Sequence, residues 1–110
     1  MTNAYLGTTG AKRADKILKL IGGNYRYQII DGETCIYKRP HPDYEIEIKG
    51  IITRSHKLSM TVTLWKLTEG TPARPIETLS NIQTVNQLKN RLHQLENGLR
   101  QDGLKPVSHT

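Results

Sequence analysis

The chain contains no phenylalanine, and it has only one cysteine and one tryptophan among its 110 residues. Apolar residues make up 35% of the sequence, so the core of a single domain must be small and mostly aliphatic. Because one cysteine cannot build a disulfide framework, we expect an intracellular, cytoplasmic protein. The N-terminus lacks the basic and apolar segments of a secretory signal. No apolar run approaches the roughly 20 residues that span a bilayer, so we expect no membrane partner.

Residue patterns that carry catalysis or bind cofactors are also lacking. The sequence has no glycine-rich phosphate loop, no cysteine pair and no two histidines at metal-ligand spacing. Glu45 and Glu47 alternate along one wet face of a strand, where carboxylates usually serve as solvated charges. We therefore predict a protein that is not an enzyme and that uses neither a metal nor a cofactor.

Positive charge is what the chain has in excess. Lysine and arginine number 16 against 10 acidic residues, which gives a formal charge of +6 and an isoelectric point near 9.6. Such an excess favours an anionic partner, most often nucleic acid and otherwise an acidic protein. Solubility alone explains a basic composition equally well, so the charge does not choose between these readings.

Two segments have the periodicity of helices. Residues 10–21 place apolar side chains at i, i+3, i+4 and i+7 in one stripe: Ala14, Ile17, Leu18 and Ile21. Thr84 begins the second helix with a capping box completed by Gln87. An apolar seam follows, formed by Val85, Leu88, Leu92, Leu95 and Leu99. The seam is compatible with a homodimer through this C-terminal helix, but two heptads are too few to prefer a coiled coil, so we expect the helix to dock on the sheet.

The segment between the helices alternates apolar and polar residues with the period of strands. Asp31-Gly32 is the dipeptide that a two-residue type I′ hairpin turn prefers. The return strand of this hairpin is expected over residues 34–38, a third strand over residues 44–52 with a bulge or bend at Gly50, and a fourth strand over residues 58–67. Residues 76–80 form a short fifth strand or an extended approach to the last helix. We expect an α+β domain over residues 10–99, with an antiparallel sheet of four or five strands and one helix at each end. Residues 1–9 and 100–110 are expected to be a flexible arm and tail.

The only tryptophan, Trp65, falls on the polar face of its strand. Three readings are open. The N-terminal helix covers that face and buries Trp65; or Trp65 lies in a protein–protein interface; or it stacks on nucleic-acid bases.

Residues 58–97 resemble the C-terminal half of the fold shared by positive-cofactor-four-type coactivators and Whirly proteins. The shared pattern is a strand that ends in Trp65, a basic loop from Lys66 to Arg74, a short strand over residues 76–79 and a helix from Thr84. The resemblance implies single-stranded DNA binding on a curved antiparallel sheet and dimerisation partly through the helix. Departures are Pro75 in place of the family's glycine, the additional N-terminal helix, and acidic residues on the wet sheet face.

The leading functional expectation is non-enzymatic nucleic-acid binding, with single-stranded DNA or RNA favoured. The residues expected to contact nucleic acid are Arg13, Lys16, Arg26, Trp65, Lys66 and Arg74. Tyr25 and Tyr27 are further candidates for stacking, although alternation can place them opposite Trp65. The alternative is a small protein-binding regulator, an inhibitor or an adaptor, which acts through a sheet edge or through the leucine helix.

Overall fold

A computed structural model describes residues 10–52 and 57–99, which form two helices and one five-stranded sheet. In chain order the elements are α1 (Gly10–Ile21), β1 (Arg26–Ile30), β2 (Glu33–His41), β3 (Tyr44–Lys49), β4 (Met60–Lys66), β5 (Arg74–Ile82) and α2 (Val85–Gly98). All neighbouring strands are antiparallel, and they lie in sequence order across the sheet. The predicted α+β fold is confirmed, with five strands. The predicted arm and tail lie outside the described residues.

Both helices pack against the same face of the sheet, and the core lies between the helices and that face. Every second side chain of the central strands points into it, including Ile36, Ile46, Ile48, Val62 and Leu64. The predicted docking of the leucine seam is confirmed, since the four leucines of the seam are at most 5% exposed. We call the side of the molecule formed by the two helices and by this face of the sheet the helix-bearing side.

The opposite face of the sheet is covered by neither helix, and we call it the open face. Its side chains come from alternate positions of all five strands: Arg26, Gln28, Ile30, Glu33, Cys35, Tyr37, Arg39, Glu45, Glu47, Lys49, Thr61, Thr63, Trp65, Pro75 and Thr78. Cross-strand partners in an antiparallel sheet share a face, so the register assigns these positions directly.

The β1–β2 hairpin has the predicted tight turn. Asp31 and Gly32 have φ angles of 51° and 81°, as a type I′ turn requires at both central positions. The register runs without interruption from Arg26 opposite Tyr37 to Ile30 opposite Glu33. Local chemistry therefore sets the alignment of the first two strands.

A glycine and a buried arginine fix the position of the backbone where β3 ends. Gly50 has a φ of 79° and lies so close to Ser59 that a Cβ would overlap the Ser59 carbonyl oxygen. Just beyond it, the buried Arg13 of α1 donates a hydrogen bond of 3.0 Å from its guanidinium to the Ile51 carbonyl oxygen. This bond ties α1 to the segment that leaves β3.

Two strands are longer than the sequence predicts, and both contain proline. β2 continues through Pro40 to His41, with a register shift against β3 between Lys38 and His41. β5 runs from Arg74 through Pro75 to Ile82, and its register against β4 shifts at two places. Proline is tolerated because β5 is an edge strand and because the β2 proline falls where the ladder is irregular.

The second helix begins as predicted. The Thr84 side chain accepts a hydrogen bond of 3.1 Å from the Gln87 N–H. The Gln87 amide oxygen accepts from the Gln83 N–H at 2.8 Å rather than from Thr84 itself. The reciprocal cap is thus displaced by one residue, and it still satisfies two backbone donors at the helix start.

Candidate nucleic-acid interface

Trp65 lies on the open face, next to acidic side chains. It is the cross-strand partner of Glu45, and its indole N–H donates a hydrogen bond of 3.0 Å to Glu47 Oε1. The reading in which α1 covers Trp65 is wrong, because α1 shares the core of the opposite face. Two carboxylates beside the indole repel a phosphate backbone, so this position does not favour base stacking.

The open face as a whole is electrically balanced. Three of its side chains are cationic, Arg26, Arg39 and Lys49, and three are acidic, Glu33, Glu45 and Glu47. One opposite pair is an ion pair, since Arg39 Nη2 lies 3.7 Å from Glu45 Oε1. Arg26 is exposed on this face, opposite Tyr37. The two candidate residues on the open face, Arg26 and Trp65, therefore belong to a surface without a net charge.

The basic excess lies on the helix-bearing side. On the helices and the strand positions that face them, nine side chains are cationic: Lys12, Arg13, Lys16, Lys19, Lys38, Lys66, Arg74, Lys89 and Arg91. Three on the same side are acidic: Asp15, Glu77 and Glu96. Counted over the helices and strands alone, the formal charge of this side is therefore +6 and that of the open face is zero; the described turns and loops add Lys57 and the acidic Asp31, Asp43 and Glu69. Four of the six candidate residues, Arg13, Lys16, Lys66 and Arg74, lie here.

An exposed basic stripe follows the outer surface of α1. Lys12, Lys16 and Lys19 recur at i, i+4 and i+7, and all three are exposed. The stripe extends for about 10 Å along the helix at 1.5 Å per residue. Lys12 and Lys19 were not among the residues expected to contact nucleic acid, although their helical spacing with Lys16 indicates them.

Arg13 does not belong to this exposed stripe. It is 6% exposed, and its guanidinium is engaged at the Ile51 carbonyl. Its position between the exposed and buried faces of α1 explains this, because a long side chain can reach inward from such a position. We assign Arg13 to the support of the fold and leave it out of the candidate interface.

Lys66 and Arg74 face each other across β4 and β5 at the end of the sheet. Lys66 Nζ donates to the Tyr44 hydroxyl at 3.3 Å and lies 4.5 Å from the centre of the Tyr44 ring. The ring of His41 is 5.7 Å from that of Tyr44. Tyr44 therefore holds the ammonium group of Lys66 in place by a cation–π contact and a hydrogen bond.

Tyr25, a predicted stacking residue, takes part instead in a polar contact inside the molecule. Its hydroxyl donates to Glu96 Oε2 at 2.7 Å, and Lys38 Nζ lies 3.3 Å from Glu96 Oε1 and 5.2 Å from the Tyr25 ring centre. Burial, then the hydrogen bond to Glu96 and its charge, raise the pKa of Tyr25 far above its ordinary value. Tyr25 is 8% exposed and cannot stack on a base. Tyr27 is half-buried against the core.

An open groove of about 250 Å³ lies between the last turn of α2 and the β3–β5 end of the sheet. Its lining is mostly apolar and includes Tyr44, Leu64, Ile76 and Leu95, with Glu77 and Gln94 at its polar positions. Ile76 is 49% exposed.

The described residues show no arrangement suited to metal or thiol chemistry. Within residues 10–52 and 57–99, no three His, Cys, Asp or Glu side chains are close enough to hold a metal ion. Cys35 is 2% exposed, and its burial, together with the charges of Glu47 and Glu33, raises the pKa of its thiol. A raised pKa disfavours the reactive thiolate. Neither described helix is long and apolar enough to cross a membrane.

Comparisons with known proteins identify no relative of this chain. No protein-family profile, no curated protein and no solved structure matches the chain.

Proposed function

We propose that this protein binds nucleic acid without catalysing a reaction, and that its helix-bearing side contacts the phosphate backbone. The observation that carries the proposal is the separation of charge. The helix-bearing side has nine cationic and three acidic side chains, whereas the open face has three of each. Solubility requires a net charge but does not require the helices and strands to carry their positive excess on one side.

The proposed contact surface centres on the α1 stripe of Lys12, Lys16 and Lys19. Their spacing spans about 10 Å, enough for two or three successive phosphates. Lys66 and Arg74 provide a second basic site at the end of the sheet, opposite each other on the same side of the molecule. Phosphate contacts position a protein on nucleic acid without reading its sequence. We therefore expect binding that is largely independent of sequence.

The expected preference for single strands rests on Trp65 as a stacking platform and on the resemblance of residues 58–97 to single-stranded-DNA-binding proteins. Because Trp65 donates to Glu47 on the neutral open face, the proposed surface does not include it. Binding by phosphate contacts alone does not require unstacked bases, so we expect single- and double-stranded oligonucleotides to bind with similar affinity.

A titration of fluorescently labelled oligonucleotides at several salt concentrations tests the proposal. With three to five phosphate contacts, log affinity should fall with log salt by about 2 to 3.5 for a single strand, and somewhat more steeply for a duplex. The double variant Lys16→Gln/Lys19→Gln should weaken binding and reduce this slope by about 1.4. Trp65→Ala should leave the affinity unchanged.

The matched control is Arg39→Gln/Lys49→Gln, which removes two positive charges from exposed positions of the open face, away from β1. It should leave both the affinity and the salt slope close to those of the unmodified protein. If both double variants lost the same amount of affinity, binding would depend on the net charge of the protein and not on the helix-bearing side. Absence of binding at low salt, where the electrostatic contribution is greatest, would refute the function itself.

A further inference from the structure

The two edges of the sheet differ in how well they are protected against pairing with another strand. β5 contains Pro75, and its register against β4 shifts near Leu64 and again near Met60, where Asn81 has a φ of 63°. Proline and bulges at an edge are devices that block additional strands. β1 has neither, and its five residues pair with β2 in one unbroken register. The β1 edge is therefore the one that remains competent to pair.

The tight hairpin turn determines which backbone groups this edge presents. In a two-residue hairpin, the residues next to the turn form a hydrogen-bonded pair, here Ile30 and Glu33. Hydrogen-bonded and non-hydrogen-bonded pairs then alternate along the ladder. The N–H and C=O groups of Tyr27 and Ile29 therefore point away from β2. These are the four groups that an added strand would bind.

The same edge exposes apolar side chains that the helices do not cover. Ile29 is 60% exposed and Ile30 is 45% exposed, although the first faces the helix-bearing side and the second the open face. α1 packs over β2, and α2 packs over β4 and β5. β1 thus projects beyond the helices, with an isoleucine exposed on each face.

We propose that the β1 edge pairs with β1 of a second copy of this chain, in an antiparallel register centred on Gln28. In this register Tyr27 of each copy lies opposite Ile29 of the other. Both residues have outward backbone groups, so four intermolecular hydrogen bonds form about the two-fold axis. The axis is perpendicular to the sheet, which joins the two sheets into one of ten strands with all four helices on one side.

The sequence of β1 is self-complementary in this register. Tyr27 beside Ile29 is an aromatic–β-branched pair, a favourable cross-strand combination. On the open face, Arg26 of one copy lies opposite Ile30 of the other, whose intramolecular partner is Glu33. An arginine and a glutamate of opposite copies then lie on one face with one strand between them, about 10 Å apart. Shifting the centre to Ile29 would move Tyr27 opposite Asp31 in the turn and lose this match.

Sedimentation equilibrium of the full chain without nucleic acid tests the proposal. We expect a monomer–dimer equilibrium whose dimer fraction rises with protein concentration. Ile29→Lys places a charge at the edge and should raise the dimer dissociation constant by at least about tenfold. The matched control is Ile76→Lys, at an apolar residue of similar exposure beside the opposite edge. It should leave the dimer intact. A monomer at all concentrations up to about 1 mM, which corresponds to negligible affinity, or a dimer sensitive only to Ile76→Lys, would overturn the proposal.

Cysteine cross-linking tests the register even if Ile29→Lys disturbs folding. In a Cys35→Ala background, Gln28→Cys places two thiols directly opposite each other at the two-fold axis, within the range that a disulfide bridges. Arg26→Cys is the control, because the two copies of residue 26 lie four positions apart, about 13 Å along the strands. We expect a covalent dimer from Gln28→Cys and not from Arg26→Cys. Equal cross-linking of both, or of neither, contradicts the register.

Discussion

Removing one hydroxyl group, by Tyr25→Phe, tests the contact that joins the β1 end of the sheet to α2. The hydroxyl donates to Glu96 Oε2 at 2.7 Å, and phenylalanine keeps the apolar packing of a residue that is 8% exposed. A hydrogen bond to a charged group contributes about 1.5–3 kcal/mol. The Glu96 side chain is 24% exposed, so water can replace part of the lost bond. We expect a loss of about 1–2 kcal/mol in the free energy of unfolding.

The same variant should change the dependence of stability on pH. Burial, followed by the hydrogen bond to Glu96 and its charge, holds the pKa of Tyr25 above its ordinary value of 10.0. Below pH 10 the tyrosine is protonated in both the folded and the unfolded chain, so its contribution is fully present. Above pH 10 the unfolded chain loses this proton first. The free energy of unfolding then falls by up to about 1.4 kcal/mol per pH unit from this residue.

Urea denaturation at pH 7, 9, 10 and 11 measures both effects. The difference between the unmodified protein and Tyr25→Phe should be constant below about pH 9 and shrink above pH 10. Tyr37→Phe, at a half-buried position on the open face, keeps the Tyr25–Glu96 contact and should retain the steep fall of the unmodified protein. Equal stability of Tyr25→Phe and the unmodified protein at pH 7, together with parallel pH profiles, would refute the reasoning.

Three further substitutions test the packing and the backbone of the fold. Leu92→Ala removes a side chain that is 5% exposed and should lower the free energy of unfolding by about 2–5 kcal/mol; a loss of no more than about 0.5 kcal/mol, the usual size of a surface effect, would show that α2 does not dock as described. Gly50→Ala, at a φ of 79° beside the Ser59 carbonyl, should cost about 1–3 kcal/mol in denaturant melts through backbone strain alone, and a neutral result contradicts that close approach. Gly32→Val, at a φ of 81°, should lower the melting temperature markedly; an unchanged value would mean that the hairpin turn is of another type.

Features set by short stretches of sequence were predictable. The Asp31-Gly32 turn, the Thr84 cap and the leucine seam each follow from the chemistry of a few neighbouring residues, and the structure contains all three. The ends of the strands near Pro40 and Pro75 were harder to predict from the sequence, because the effect of a proline depends on which side of its strand is paired. Whether that side is paired is a property of the whole sheet.

The candidate site was harder to predict because it depends on contacts between distant residues. Arg13 belongs to the basic side of α1 by its sequence, yet its partner Ile51 lies 38 residues away. Alternation alone places Trp65 and Glu47 on one face, but their hydrogen bond depends on the register of β3 against β4. The placement of both helices on one side of the sheet, which separates the charges, is likewise a tertiary result that no local pattern encodes.

The order of the strands has a consequence for how the chain folds during synthesis. Each strand pairs with the next one along the sequence, so the sheet can grow hairpin by hairpin with short loop closures as the chain emerges. The apolar face that includes Ile46, Val62 and Leu64, however, is completed only by α2, which follows all five strands. Until residues 85–98 have been made, a nascent chain presents an assembled but half-covered sheet. During that interval the exposed apolar face of the sheet is most prone to aggregation.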